Sequence, residues 1–156
     1  MKKLFLIATV TFLTAATFAQ SDKYVASMKA NIAAIDSSFK NPANLLDLAN
    51  KFERIATAEK TQWLAYYYAA LCQVNYTYME QDKSKIDAIA DKATELIDKA
   101  DALQPNNSEI SCLKSMIASA HMMVNPMQRF QEYGPEAASY IEAAMKQDPA
   151  NPRPEF

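Results

Sequence analysis

The chain has 156 residues, a formal net charge of −2 and a pI near 5.4, and half of its residues are hydrophobic. Its Lys and Arg are scattered and its balance is mildly acidic, which excludes a surface built to bind nucleic-acid phosphates and leaves ample apolar material for a core. One glycine, Gly134, and an abundance of Ala, Leu, Lys, Asp and Met read as an all-helical protein.

Met1-Lys2-Lys3 is a short basic start, Leu4 to Phe18 is apolar, and Thr17-Phe18-Ala19 places small residues at −3 and −1 of a cleavage point. This pattern predicts a signal peptide over residues 1–19, and hence a periplasmic or secreted protein. A transmembrane anchor would need about 18 or more apolar residues and a basic stop-transfer flank. No cysteine follows the run to carry a lipid. Without Lys2 and Lys3 the mature chain has 14 basic and 18 acidic side chains, a net charge of −4. From Gln20 to Phe156 it has the size of one domain.

The first mature helix is expected over about Asp22 to Ser38, with Tyr24, Met28, Ile32, Ile35 and Phe39 on one face. Asn41-Pro42 opens a second, with Leu45, Leu48, Phe52 and Ile55 inward. A third covers about Thr61 to Met79, with a stripe of Leu64, Tyr67, Leu71, Val74 and Tyr78. A fourth turns Ile86, Ile89, Ala93, Leu96, Ala100 and Leu103 inward, with Glu95 and Lys99 spaced for a surface pair. Pro105-Asn106-Asn107 stops it, and Ser108 is the expected cap of a fifth helix ending near Asn125. Asn125-Pro126 begins a short helical piece, and Gly134-Pro135 is expected to break it and open a sixth helix ending at Asp148-Pro149. Residues 151–156 read as a tail or the truncated start of a further hairpin.

Small and bulky positions recur. Ala49, Ala93 and Ala137 are 44 residues apart, as are Ala56, Ala100 and Ala144, and Phe52, Leu96 and Tyr140. Helices three and five align at 46, where Leu64, Tyr67, Leu71 and Tyr78 match Ile110, Leu113, Ile117 and Val124. A helix hairpin cannot bury both faces alone, and stacking hairpins with small residues at close approaches supplies a continuous core.

The runs Ala93-Ile97-Ala100-Pro105 and Ala137-Ile141-Ala144-Pro149 resemble the second helix of the tetratricopeptide repeat, and Trp63 to Tyr67 resembles part of its first. With the signal peptide, the chain is similar to small secreted tetratricopeptide proteins of the Bacteroidota. The resemblance spans about Asn41 to Pro154 and implies an all-α fold of stacked antiparallel helix hairpins, a tetratricopeptide-like α-solenoid of about three hairpins over 41–150, with residues 20–40 as an added N-terminal helix. The unit is longer than the family's usual 34 residues. A protein or peptide partner is implied, in a groove expected to involve Tyr66, Gln73, Glu109, Met116 and Ser119.

Catalysis finds little support. His121 is the single histidine, no Cys or Ser is placed to act with it, and no glycine-rich phosphate loop or metal-spaced His/Cys cluster occurs. His121 with Met116, Met123 and Met127 offers soft donors of the kind that suit Cu(I), but methionine is first a gap-filler of helical cores. No enzyme, cofactor or resident metal is therefore expected. Cys72 and Cys112 enter an oxidising compartment, where a bridge is the alternative, and are expected as free buried thiols inside helices. Of the run WLAYYYAAL, most rings must be core, because successive residues turn by about 100°. The alternatives to a peptide-binding scaffold are a self-associating array and a binder of metal or a small ligand; of the two adjacent faces of the last helix, Ala138, Ile141 and Met145 or Ala137, Tyr140 and Ala144, one packs inward and the other is left for weak pairing.

Overall fold

The computed structural model describes residues 22–155, which carry seven α-helices and no strand; the segment read as a signal peptide lies outside them. The helices are α1 (Asp22–Ala33), α2 (Ile35–Ser38), α3 (Ala43–Ala58), α4 (Trp63–Met79), α5 (Ile86–Leu103), α6 (Ser108–Val124) and α7 (Pro126–Gln147). Short 3-10 turns occupy Lys83–Lys85 and Arg153–Glu155. No described helix is long and apolar enough to cross a membrane.

Each helix from α3 onward packs on the next, and α4 also packs on α6. Polar contacts give the directions. Lys114 of α6 meets Asp101 near the end of α5 at 2.7 Å, and His121 near the end of α6 meets Asp87 at the start of α5 at 3.0 Å, so α5 and α6 are antiparallel. Ser111 reaches Gln147 and His121 stacks on Tyr133, so α6 and α7 are antiparallel as well. Tyr67 reaches Glu109 and Tyr78 reaches Met116, so α4 and α6 run parallel, side by side. Alternate helices thus share a direction, and a groove forms along the α4–α6 seam.

The core is continuous from Tyr24 and Met28 of α1 to Ile110, Leu113 and Ile117 of α6. The three alanine pairs of the 44-residue spacing are all buried, where a larger side chain would hold neighbouring helices apart. Phe52 stacks on Tyr68 at 5.3 Å, and Tyr67 meets Trp63 and Tyr68 edge-on, which uses the aromatic run of α4 in three directions. Cys72 and Cys112 are buried and unbridged.

Several local expectations are corrected. The first helix is interrupted at Ala34, and Phe39 beyond it is exposed. Leu103 is exposed too, at the last residue of α5 where the chain turns away from the helix. Glu95 lies 3.8 Å from Lys92, and Lys92 in turn reaches back to Glu53 of α3 at 2.7 Å, a tertiary pull that a surface pair with Lys99 does not offer. Asn107 caps α6, accepting from the Glu109 and Ile110 N–H groups, while the Ser108 hydroxyl is taken by Asn151. Helix α7 runs unbroken through Gly134-Pro135. Proline there removes one intrahelical donor, but the carbonyl it orphans belongs to exposed Gln131 and is open to water.

Candidate functional site

A cavity of about 540 Å³ opens along the seam of α4 and α6, closed on its flanks by α7 and the C-terminal turn. Tyr67 and Tyr78 reach it from α4; eleven residues is three helical turns, which puts both rings on one face. Cys112, Met116 and Ser119 follow at steps of four and three on α6, with Leu113 and Ser115 beside them. Ile141 enters from α7, and Arg153 and Pro154 from the terminal turn.

The two ends of this groove differ. At the start of the helices, the Glu109 carboxylate gathers the polar groups. Its Oε2 accepts from the Tyr67 hydroxyl at 3.1 Å and lies 3.0 Å from Arg153 Nε, while its Oε1 accepts from Asn151 Nδ2 at 3.0 Å. Arg153 Nη1 also donates to the Tyr67 hydroxyl at 3.4 Å. This network draws residues 151–155 back across α6, and Pro154 among them is buried. The other end carries no charge. There Tyr78 donates to the Met116 carbonyl at 2.8 Å, beside the Met116 thioether.

Both phenols stay protonated. Burial, against the pull of Arg153 and with the help of Glu109, drives the Tyr67 hydroxyl well above the ordinary phenol range. Tyr78 has 39 % of its surface exposed, but its hydroxyl end is tucked onto α6 and desolvation pushes it up to about 12. Burial likewise raises the Cys112 thiol, the nearby Glu109 adding to it. The cavity therefore presents neutral phenols, hydroxyls, a thiol and a thioether, with Arg153 as the one charge in its lining.

Of the groove residues expected from sequence, Met116 and Ser119 line this cavity and Glu109 organises its rim. Tyr66, packed partly buried against the core, and buried Gln73 lie outside the lining. Tyr67 and Tyr78 belong to the stripe read as core, because periodicity alone does not separate a face against a neighbour from a face beside a gap. Arg153 carries no sequence signal beyond its place in a Pro-rich tail.

His121 lies elsewhere, at a smaller cleft of about 250 Å³ between α5, α6 and α7. Its Nδ1 is 3.0 Å from Asp87 Oδ1 and its ring stacks on Tyr133 at 5.1 Å. Asp87 also takes a forked pair of hydrogen bonds from Arg129, at 2.6 and 2.8 Å. The Arg129 guanidinium, with His121 second, holds the Asp87 carboxyl down at about 2. These groups are spent on fastening α7 to α5. Met127, which the sequence offers beside His121 as a soft donor or a packing residue, is 95 % exposed and far from filling a core gap. Among the described residues no group of three His, Cys, Asp or Glu is placed to hold a metal ion.

No family model matches the chain, the tetratricopeptide repeat included, and no curated protein matches it. A solved structure does: the HusA haemophore from Porphyromonas gingivalis, 37% identical, with a TM-score of 0.77 over 88% of this chain. The chain spans 66% of the length of that haemophore.

Proposed function

We propose that this chain is a non-catalytic carrier that holds haem, or a tetrapyrrole like it, in the groove between α4 and α6. The observation that carries the reading is the cavity itself, in a chain with this degree of likeness to a haemophore. Its volume, about 540 Å³, falls within the roughly 300–1,000 Å³ usual for small-molecule sites. Its walls are flat or apolar: the Tyr67 and Tyr78 rings, Leu113, Met116 and Ile141. A planar macrocycle buries both faces against such walls, and apolar burial is the main source of affinity for a ligand of that shape.

The donor set is compatible with iron. Haem iron takes His, Cys, Met or Tyr ligands. Here the Met116 thioether is available with no hydrogen bond to break, whereas either phenol would have to give one up and lose its proton. Haem is cargo in this reading, held by contact with the walls and by the thioether, and no chemistry is performed on it. Export from the cytoplasm, expected from residues 1–19, fits a carrier that works outside the cell. The small-ligand reading is preferred here to the peptide-binding scaffold because of the likeness to a haemophore and because the flat aromatic and aliphatic walls suit a planar ligand.

The test is a haem titration followed in the Soret region. A saturable red shift at one haem per chain, weakened in Met116→Ala and Tyr78→Ala and unchanged in His121→Ala, is the expected result. Linear, unsaturating absorbance would overturn the proposal. Retention of a peptide library in its place would return the groove to the scaffold reading.

A further inference from the structure

We propose that Arg153 is the specificity-determining residue of the groove, selecting ligands that carry a carboxylate on one edge and fixing which way round they enter. The proposal rests on the tetrapyrrole reading above and sharpens it.

Ten residues line the cavity and one of them is charged. The nearest acid, Glu109, is not in the lining, and its oxygens are already occupied by Tyr67, Asn151 and Arg153 itself. A guanidinium has five N–H donors. Arg153 spends Nε on Glu109 and one Nη1 hydrogen on Tyr67, at the long distance of 3.4 Å. Donors on both terminal nitrogens remain for a ligand, in the fork that matches a carboxylate. Glu109 and Tyr67 are then positioning residues. They pull the guanidinium toward the cavity mouth and keep its other edge free.

The remainder of the lining makes the choice one-sided. Toward Tyr78 the walls offer one committed phenol, a thioether and serine hydroxyls, with no cation to meet an anion. An ionised carboxylate pushed to that end would be desolvated without a charged partner, which is costly. A ligand with both carboxylates on one edge, as in the porphyrins of haem, is therefore seated with that edge at Arg153 and its apolar edge toward Tyr78 and Met116. A porphyrin without free acids fills the same cavity and leaves Arg153 unused.

The experiment uses metal-free protoporphyrin IX and its dimethyl ester as probes, which removes any contribution from iron. Binding is read from the Soret band for the unmodified chain, Arg153→Leu and Arg153→Lys. The unmodified chain is expected to prefer the diacid by about tenfold or more, the scale of one charge-assisted pair. Arg153→Leu is expected to bind both probes alike, at the affinity of the ester. Arg153→Lys, which keeps the charge without the fork, should fall between. Asn151 still ties the turn to Ser108 and Glu109 in both variants, so circular dichroism melts should lie close to the parent. Equal binding of diacid and diester by the unmodified chain overturns this inference and leaves the tetrapyrrole reading intact, as does a preference that survives in Arg153→Leu. No saturable binding of either probe overturns both.

Discussion

Asp87 holds more of the tertiary structure than its outward position on α5 implies. Its carboxylate meets the Arg129 fork on one side and His121 on the other, joining three helices through one residue. Its carboxyl titrates at about 2 against an ordinary value of 3.8. A lowered folded-state pKa means the contribution is complete above pH 4 and fades as pH falls toward 2. The side chain is 39 % exposed, so screening limits the effect to about 1 kcal/mol. Asp87→Asn should lower the melting temperature at pH 6 and flatten its decline between pH 4 and pH 2; a parallel decline in both proteins would remove Asp87 from the acid response. The thiols make a second prediction at this scale. Burial pushes Cys72 up to about 12, and it lies away from the groove, whereas Cys112 lines the cavity wall. In native protein at pH 8 a thiol reagent should modify Cys112 first, both slowly, and bound haem should slow Cys112 alone. Modification of Cys72 ahead of Cys112 would contradict the placement.

Among the elements, α7 is where local rules and tertiary packing disagree. Gly-Pro in mid-helix is a strong break signal, yet the helix persists for 22 residues. Asn125 caps its start with Pro126 in the first turn, Arg129 pins its first third to Asp87, and Ala137 and Ala144 seat its second half on α6. With both halves anchored, a single missing hydrogen bond on the wet side is tolerated. The penalty should still be present in the folded state, since proline in a helix interior costs about 3 kcal/mol. Pro135→Ala is expected to raise stability to chemical denaturation by about 1–3 kcal/mol with no change in the slope of the transition. A destabilised variant would show that Pro135 makes a favourable contact outweighing its backbone cost. The cap of α6 shows the same tension at smaller scale. Asn107 and Ser108 are both good capping residues, and the expectation falls on Ser108. The tail chooses, because Asn151 takes the serine hydroxyl and leaves the cap to Asn107.

At the scale of the molecule, α7 packs on α6 and turns a long apolar stripe to solvent: Met127, Phe130, Ala138 and Met145, with Phe130 62 % exposed and lying over the missing side chain of Gly134. Exposed apolar strips of this kind mark association surfaces. Weak self-association through α7, expected from the sequence on one of its two apolar faces, would by exposure involve Met127 and Phe130. Sedimentation velocity over a wide concentration range should show a rising mass that Phe130→Glu abolishes; a mass independent of concentration would dismiss the idea.

Helix content, the cores of α3 and α5, and the alanine positions where helices touch follow from the sequence alone, because each depends on periodicity within one element and on side-chain volume. The groove could not be read in this way. Its residues come from four separate segments, its aromatic wall is indistinguishable by spacing from core, and its single charge arrives on residues 151–155. Their position is decided by three hydrogen-bonding partners of Glu109 up to 86 residues apart in the chain. Periodicity records which face of a helix is apolar. Whether that face meets another helix or a cavity is settled by how the helices are stacked, and that exists only once the chain has folded.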